Sequence, residues 1–105
     1  MKPVLVLTTV GSDFDAGALA RSLVEQRLIA CASIVDRVRS IYRWEDTVSD
    51  AGEVLLIFKT TNERVAELRA ELEKLHPYEV PEFIVVPVAE TSEAYGAWIL
   101  ESVAR

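Results

Sequence analysis

Cysteine and histidine are scarce in this chain, which holds one residue of each, Cys31 and His76. A single cysteine excludes a disulfide within the chain and a zinc site built on paired cysteines. It is also typical of proteins from a reducing compartment, so we expect a cytoplasmic location. Because there is one histidine, any catalytic Cys-His couple would have to join these two residues.

Long apolar runs and a basic excess are also missing. No segment approaches the roughly twenty apolar residues that a membrane-spanning helix needs, and the start, MKPVLVLTTVGSDFD, lacks a signal-peptide cleavage pattern. The formal charge of -6 at pH 7 comes without a basic stripe, which disfavours nucleic acid and anionic membranes as partners. Phosphate loops, nucleophile elbows and dinucleotide fingerprints are absent, so nothing here favours an enzyme.

What the chain does contain is a regular succession of strand and helix patterns over residues 1–105, which suit one domain. The order β-α-β-β-α-β with a further C-terminal helix predicts an α+β, ferredoxin-like fold with a four-stranded antiparallel sheet. The predicted strands are residues 4–10, residues 29–44 with a bulge at 36–37, residues 53–61 and residues 83–88.

Helix starts and turns are marked by polar residues. Ser12 with Asp15 predicts the first helix start, and Thr91 or Ser92 the third. For the second, Thr60 with Glu63 predicts a capping box, with Thr61 and Asn62 as alternative caps. The stretch EDTVSDAG, residues 45–52, is polar and turn-like, so the flanking strands should form a hairpin with a protruding tip.

The strands are apolar on both faces, which a monomer of this fold does not need. Residues 4–7, 54–58 and 83–86 are apolar at odd and even positions alike, whereas helices on one face would leave the other face polar. The surplus amounts to several hundred Å², more than monomers usually expose. We therefore predict an obligate homo-oligomer in which the hairpin, with Tyr42 and Trp44, pairs with a neighbour's sheet edge. The alternative is that the C-terminal helix covers the whole second face.

Residues 76–88, HPYEVPEFIVVPV, concentrate the chemically active side chains. His76 is either a metal ligand or proton donor, or a helix-terminal residue whose partial charge suits the last carbonyls. Glu79 and Glu82 are either paired carboxylates for acid-base work or a hard cation, or solvated loop residues. For His76 and for the two glutamates, the sequence is compatible with either alternative.

Two further candidates lie in the strands. Cys31 is either a small buried hydrophobe or a nucleophile. Lys59 follows an apolar run, so it either reaches the rim of the sheet or pairs with an acid such as Glu45 or Glu79.

Four segments carry a specific combination of residues: ACASI (30–34), SIYRWE (40–45), EVLLIFKTT (53–61) and HPYEVPE (76–82). In content and spacing they resemble the CutA family, the divalent-cation tolerance proteins, over essentially the whole chain. The resemblance implies a ferredoxin-like subunit assembled as a tight homotrimer and loosely associated with copper and other divalent ions. It supplies no reaction.

The chain also departs from that family pattern. The family commonly has Pro-Gly where this chain has Asp36-Arg37, and glycine where it has Asp46, which affects the bulge and the hairpin turn. Where a copper site is drawn in the family, its ligands match Thr8, Leu75 and His76. Because Thr8 and Leu75 lack the thiolate or imidazole that copper prefers, the resemblance implies weak copper binding or another ligand set.

Two functions fit these residues, and a third alternative is a purely structural hub whose trimer displays the C-terminal helices to a partner. The first is a homotrimeric binding or signalling module, not an enzyme, that responds to divalent metal ions and contacts copper through His76. Its partners are other copies of the chain and metal ions. The alternative is a small-molecule sensor or enzyme with a site in a cleft between subunits. The residues expected at that cleft are Cys31, Trp44, Glu45, Lys59, Tyr78 and Glu79.

Overall fold

Four antiparallel strands in the order β2-β3-β1-β4 form the sheet of the computed structural model, which describes residues 1–105. This order confirms the predicted ferredoxin-like fold, and the extra C-terminal helix is present as well. The elements are β1 (Pro3–Gly11), α1 (Ala16–Glu25), β2 (Cys31–Trp44), β3 (Thr47–Thr61), a 3-10 turn (Asn62–Arg64), α2 (Val65–Leu75), β4 (Ile84–Pro87) and α3 (Glu93–Val103).

The core lies between one face of the sheet and the helices α1 and α2. Burial alternates strictly along β1, as expected for a strand with one face against helices. Each helix presents an apolar stripe to that face, because its leucines recur three or four residues apart. The core side chains that are fully excluded from solvent include Val6, Val10, Leu23, Leu56, Phe58, Leu68 and Leu72.

The opposite side of the sheet, here called the outer face, is apolar too. Leu7 of β1 lies between Ile57 of β3 and Ile84 of β4 on this face. Ile84 is 48% exposed, and Val35 at the β2 edge is 42% exposed. The chain therefore leaves a second apolar surface in contact with water.

Helix α3 packs on one end of the structure only. Ile99 and Val103 are buried with Ala30 in a cluster separate from the main core. Arg64 donates to the Val103 carbonyl at 2.8 Å, which satisfies an orphan carbonyl of the last helical turn. Because Val35 and Ile84 stay exposed, the alternative that this helix covers the whole second face is wrong.

Strands β2 and β3 continue past the end of β1 as a two-stranded ribbon. The last pair between β1 and β3 joins Gly11 and Glu53, and residues 38–52 beyond it are here called the arm. The predicted bulge lies at its base, between Val35 and Val38, and Arg37 there has φ 62°. The bulge adds one residue to β2, so the outer face continues from Val35 to Val38.

The tip of the arm is a two-residue turn. Glu45 and Asp46 have φ of 49° and 64°, the pattern of the hairpin turns that match strand twist. The prediction of a polar tip over residues 45–52 is wrong beyond this turn, because β3 already begins at Thr47.

The helix starts also differ in part from expectation. Asp15 rather than Ser12 caps α1, since its Oδ1 accepts from the Ala18 N–H at 2.9 Å. The predicted capping box at Thr60 is wrong, because the Thr60 hydroxyl donates instead to the Leu28 carbonyl at 2.7 Å. Ser92 caps α3, as one of the two predictions had it.

Strand β4 covers Ile84–Pro87, shorter by one residue at each end than predicted. No helix in the chain is both long enough and apolar enough to cross a membrane.

Candidate functional site

The imidazole of His76 is held by two hydrogen bonds at the C-terminal end of α2. Nε2 donates to the Thr9 carbonyl at 2.8 Å, and Nδ1 accepts from the Tyr78 N–H at 3.1 Å. A backbone amide can only donate, so the ring is the neutral tautomer with its proton on Nε2. Burial lowers the pKa of His76, and the bond to Thr9 and the charge of Glu53 oppose that shift.

Local sequence places this ring at the edge of the sheet. Pro77 disfavours helical geometry in the preceding residue, and His76 accordingly has an extended ψ of 136°. Pairing of β4 with β1 ends at Leu7 and Ile84, so the imidazole meets the free edge of β1 beyond that point. Neither ring nitrogen is free, and a metal ion would have to break one of the two bonds. His76 as a ligand stays a prediction.

Tyr78 joins His76 to a buried acid. The two rings lie edge to face with centroids 4.9 Å apart. The Tyr78 hydroxyl donates to Glu53 Oε2 at 2.5 Å. Burial, together with the bond to Glu53, raises the pKa of Tyr78 well above its ordinary value, so the hydroxyl remains a donor at neutral pH.

Glu53 is a nearly buried carboxylate without a cation beside it. It is 5% exposed, and the ion pairs of the chain all involve other acids. Burial and the negative charge of Glu53 raise the pKa of Glu82, so two carboxyl groups interact in this part of the molecule. The charges of these two acids give this corner of the molecule a negative field, which attracts positive groups.

These residues border an open cleft between the base of the arm and the segment after α2. The cleft has a volume of about 530 Å³, within the usual range for small-molecule sites. Its walls come from β1, both strands of the hairpin and the loop before β4. The lining residues are Thr9, Ser40, Tyr42, Trp44, Glu53, Pro77, Tyr78, Glu79, Val80 and Glu82.

The structure brings together half of the six residues that were expected at one cleft. Trp44, Tyr78 and Glu79 line it, while Glu45 lies in the turn at the arm tip. The other two lie at the far end of the outer face: Cys31 and Lys59 are cross-strand partners there.

The far end has its own polar contacts. Lys59 donates to Ser33 Oγ at 3.1 Å, so its pairing with Glu45 or Glu79 does not occur within the chain. Cys31 Sγ lies 4.0 Å from the Tyr95 hydroxyl. A Cys31-His76 couple does not form within one chain, because His76 contacts the opposite end of β1.

Sequence reasoning missed Glu53, the buried acid that lines the cleft. It was read as the first residue of a strand. The available signal was an acid on the outward side of a strand that is otherwise apolar up to Phe58.

Comparison with known proteins identifies the family of this chain. Residues 4–102 match the model of a family described as CutA1 divalent ion tolerance protein. The chain belongs to the CutA1 family. It is 43% identical over 98 residues to a divalent-cation tolerance protein CutA from Thermus thermophilus, covering 93% of this chain and 95% of that protein.

Relatives from eukaryotes are more distant. A CutA homolog from Danio rerio is 34% identical, and the match covers 94% of this chain but 66% of that longer protein. The crystal structure of CutA1 from Oryza sativa superposes with a TM-score of 0.95 at 31% identity, covering 100% of this chain and 96% of that one. The likeness therefore extends over the whole CutA1 fold described above.

The family name raises the question of whether this CutA1 chain can hold a divalent ion by itself. No group of three or more His, Cys, Asp or Glu side chains is placed to do so. Of the positions that the resemblance suggested as copper ligands, Thr8 is buried in the core and Leu75 is an exposed hydrocarbon. With both nitrogens of His76 engaged as well, the residues of a single chain do not fit a metal site.

Proposed function

We propose that this CutA1 chain acts in divalent-cation tolerance as a homotrimeric binding module rather than as an enzyme. The observation that carries the proposal is the pairing of an unpartnered arm with an apolar outer face. The chain itself buries neither surface. A second and a third copy of the chain bury them, and the family resemblance implies this number of copies.

The arm supports self-association because it has no partner within its own chain. Ile41 and Val48 lie on the side of the arm that faces away from the cleft, and they are 64% and 65% exposed. Isolated two-stranded ribbons are marginally stable in water. Docking these side chains on a neighbour would stabilise the arm and leave its other side, with Tyr42 and Trp44, free to wall the cleft.

The outer face supports the same arrangement through its charges. One end carries Lys59 beside Cys31, and the other end carries Glu53, Glu79 and Glu82. A neighbour that lies across this face can bring the two ends together. Divalent ions would then be held at the boundary between subunits, where Cys31 supplies the thiolate that copper prefers and the carboxylates come from another copy.

The assembly is tested by light scattering on the wild type and on Ile41→Asp/Val48→Asp. We expect the wild type to have three times the 11.7 kDa mass of the chain and the double variant to be a monomer. The matched control, Ala18→Asp/Ala66→Asp, adds the same charge at exposed first-turn positions of α1 and α2 and should stay trimeric. A wild type of single-chain mass would overturn the proposal.

The metal role is tested by calorimetric titration of copper and zinc. We expect binding to weaken in Cys31→Ser and in the monomeric arm variant, since each removes part of a shared site. An arm variant that binds as tightly as the wild type would contradict a site between subunits. His76→Ala with an isotherm indistinguishable from that of the wild type would remove His76 from the ligand set.

The alternative function, a small-molecule sensor or enzyme, is favoured by the cleft around Glu53. A thermal-shift screen with metal ions and with small molecules of either charge compares the two functions. We expect a small-molecule ligand to lose its effect in Trp44→Leu, which truncates an exposed wall of the cleft. If metal ions alone shift the melting temperature, the alternative loses its support.

A further inference from the structure

Helix α3 carries an aromatic surface on its exposed side. Tyr95 and Trp98 are each 41% exposed, and their ring centroids lie 5.4 Å apart. Ala94, Trp98 and Glu101 are exposed and follow one another at helical spacing, so they form one stripe, which Ala97 widens. These five residues are here called the α3 surface. An exposed apolar patch with a polar rim is typical of an interaction site.

The rim of the α3 surface carries unpaired acids. Glu93 and Glu101 are exposed near the two ends of the helix, and neither takes part in an ion pair of the chain. Arg27 and Arg64 reach the helix, but they donate to its last carbonyls rather than to these acids. A complementary partner should therefore present apolar side chains together with positive charge.

The arm offers that combination on one of its two sides, here called the charged side. Arg39, Ile41 and Arg43 alternate along β2 and so share this side, and Val48 is the cross-strand partner of Arg43. Asp50 binds the guanidinium of Arg39. Arg43 has no acid partner in the chain, so its guanidinium is available to a carboxylate or to the face of an aromatic ring.

The proposed assembly brings these two surfaces of different copies together. It places Glu53 of one copy near Cys31 and Lys59 of the next, and the arm begins beside Glu53. Tyr95 already lies at that end, since its hydroxyl is 4.0 Å from Cys31 Sγ. The arm extends about 23 Å along residues 38–44, and the 11 residues of α3 extend about 16 Å. One arm is therefore long enough to lie along the whole helix.

We infer that the charged side of the arm docks on the α3 surface of a neighbouring copy, with Ile41 and Val48 on the aromatic rings and Arg43 beside the acids of α3. The inference rests on the proposed homotrimer and specifies which surfaces join. Because the arm and α3 are different surfaces, the contact is heterologous, and such contacts form a closed ring when the rotation between copies closes. Three copies then use three arms and three helices. A hub that displays its C-terminal helices would leave the α3 surfaces uncovered instead.

Cysteine cross-linking in a Cys31→Ser background tests the docking. Val48→Cys places a thiol on the charged side of the arm, and Ala97→Cys places one on the α3 surface. We expect a short bis-maleimide to join this double variant into species of two and three times the 11.7 kDa chain mass on a denaturing gel. The matched control combines Ser49→Cys, on the opposite side of the arm, with Ala97→Cys and should remain largely at single-chain mass.

Charge reversal tests the role of Arg43. We expect Arg43→Glu to lower the urea concentration at which light scattering reports dissociation of the trimer, and Glu93→Arg/Glu101→Arg to do the same. Combining the three changes should restore most of the shift, because the opposite charges then meet again with their positions exchanged. Arg21→Glu, an exposed change on α1, is the control and should leave dissociation unchanged.

The outcomes separate this docking from the trimer on which it rests. A trimer in which Val48→Cys/Ala97→Cys does not cross-link, or cross-links no better than the control, overturns the inference and leaves the trimer standing. Cross-links in Val48→Cys alone would show that arms contact each other and would overturn it as well. Charge reversal that the exchange does not restore removes Arg43 from the contact. A wild type of single-chain mass in light scattering overturns both proposals.

Discussion

The base and the arm of the long hairpin are built from the same two strands but differ in environment. At the base, Leu56 and Phe58 are fully buried between β1 and the helices. In the arm, Ile41 and Val48 are apolar residues of the same strands and are largely exposed. A third strand and a helical layer, rather than strand propensity, decide which residues become core.

Removing a core side chain at the base should have the largest effect. In an Ile41→Asp background, where the arm does not dock, we expect Leu56→Ala to lower the free energy of unfolding by about 3 kcal/mol. Val48→Ala in the same background should cost less than about 0.5 kcal/mol. Urea unfolding measures both, and equal losses would mean that the arm is packed within its own chain.

Substitution of His76, which lies where the sheet passes into the arm, should have the next largest effect on stability. We expect His76→Ala to lower the free energy of unfolding by about 2 kcal/mol, because the ring's bonds to Thr9 and Tyr78 are both lost. Lys74→Ala, an exposed change in the last turn of the same helix, is the control and should have little effect. A loss no larger than that of the control would show that the two bonds are not formed in solution.

The pH dependence of the free energy of unfolding should also depend on His76. The folded chain lowers the pKa of His76 from its ordinary 6.5, so the unfolded chain takes up a proton more readily. The contribution of His76 is therefore complete above pH 6.5 and is lost as the pH falls toward the folded-state pKa. Between pH 8 and pH 5.5 we expect the wild type to lose more stability than His76→Gln in urea unfolding. Parallel profiles would contradict the assignment.

A substitution in the bulge at the base of the arm should increase the stability of the chain. Arg37 has φ 62°, a conformation that costs non-glycine residues roughly 1–2 kcal/mol. We expect Arg37→Gly to raise the free energy of unfolding by about 0.5–1 kcal/mol after the entropy of glycine in the unfolded chain is counted. Arg43→Gly, in the ordinary extended part of the arm, should lower it instead. A loss in both variants would show that the bulge does not strain Arg37.

The smallest effect should come from the ion pair across the arm. Arg39 and Asp50 approach to 2.6 Å, and the pair raises the pKa of Arg39 and lowers that of Asp50. Both side chains are in water, and such pairs seldom contribute measurably. We expect Asp50→Asn to leave the melting temperature unchanged at physiological salt. A clear decrease would indicate that the pair is covered in the assembly.

The fold was predictable because its elements carry strong local patterns. Both core helices repeat their leucines at helical spacing, and Pro77 marks the end of the second one. The bulge at Asp36-Arg37 interrupts an otherwise apolar strand and was visible for that reason. Residues 47–52 were misread as a turn because they are mostly small or polar, yet they extend β3 by pairing with residues 39–44.

The candidate site was predictable only in part. Trp44, Tyr78 and Glu79 do meet, but Cys31 and Lys59 lie at the other end of the outer face, since strand register fixes their positions. Glu53 went unrecognised because its importance comes from a tertiary contact with Tyr78, 25 positions away in sequence. Thr60 was misassigned for a similar reason, because its hydroxyl finds a carbonyl at a distant loop.

The imidazole at the end of β1 has a consequence for how copies of the chain can join. An unpaired strand edge is a template onto which any extended peptide can add, and unprotected edges lead to fibres. Here a side chain, not a strand, takes up the Thr9 carbonyl, so β1 offers no continuous ladder beyond the short β4. Edge-on addition of another strand is thereby blocked at this stretch of β1.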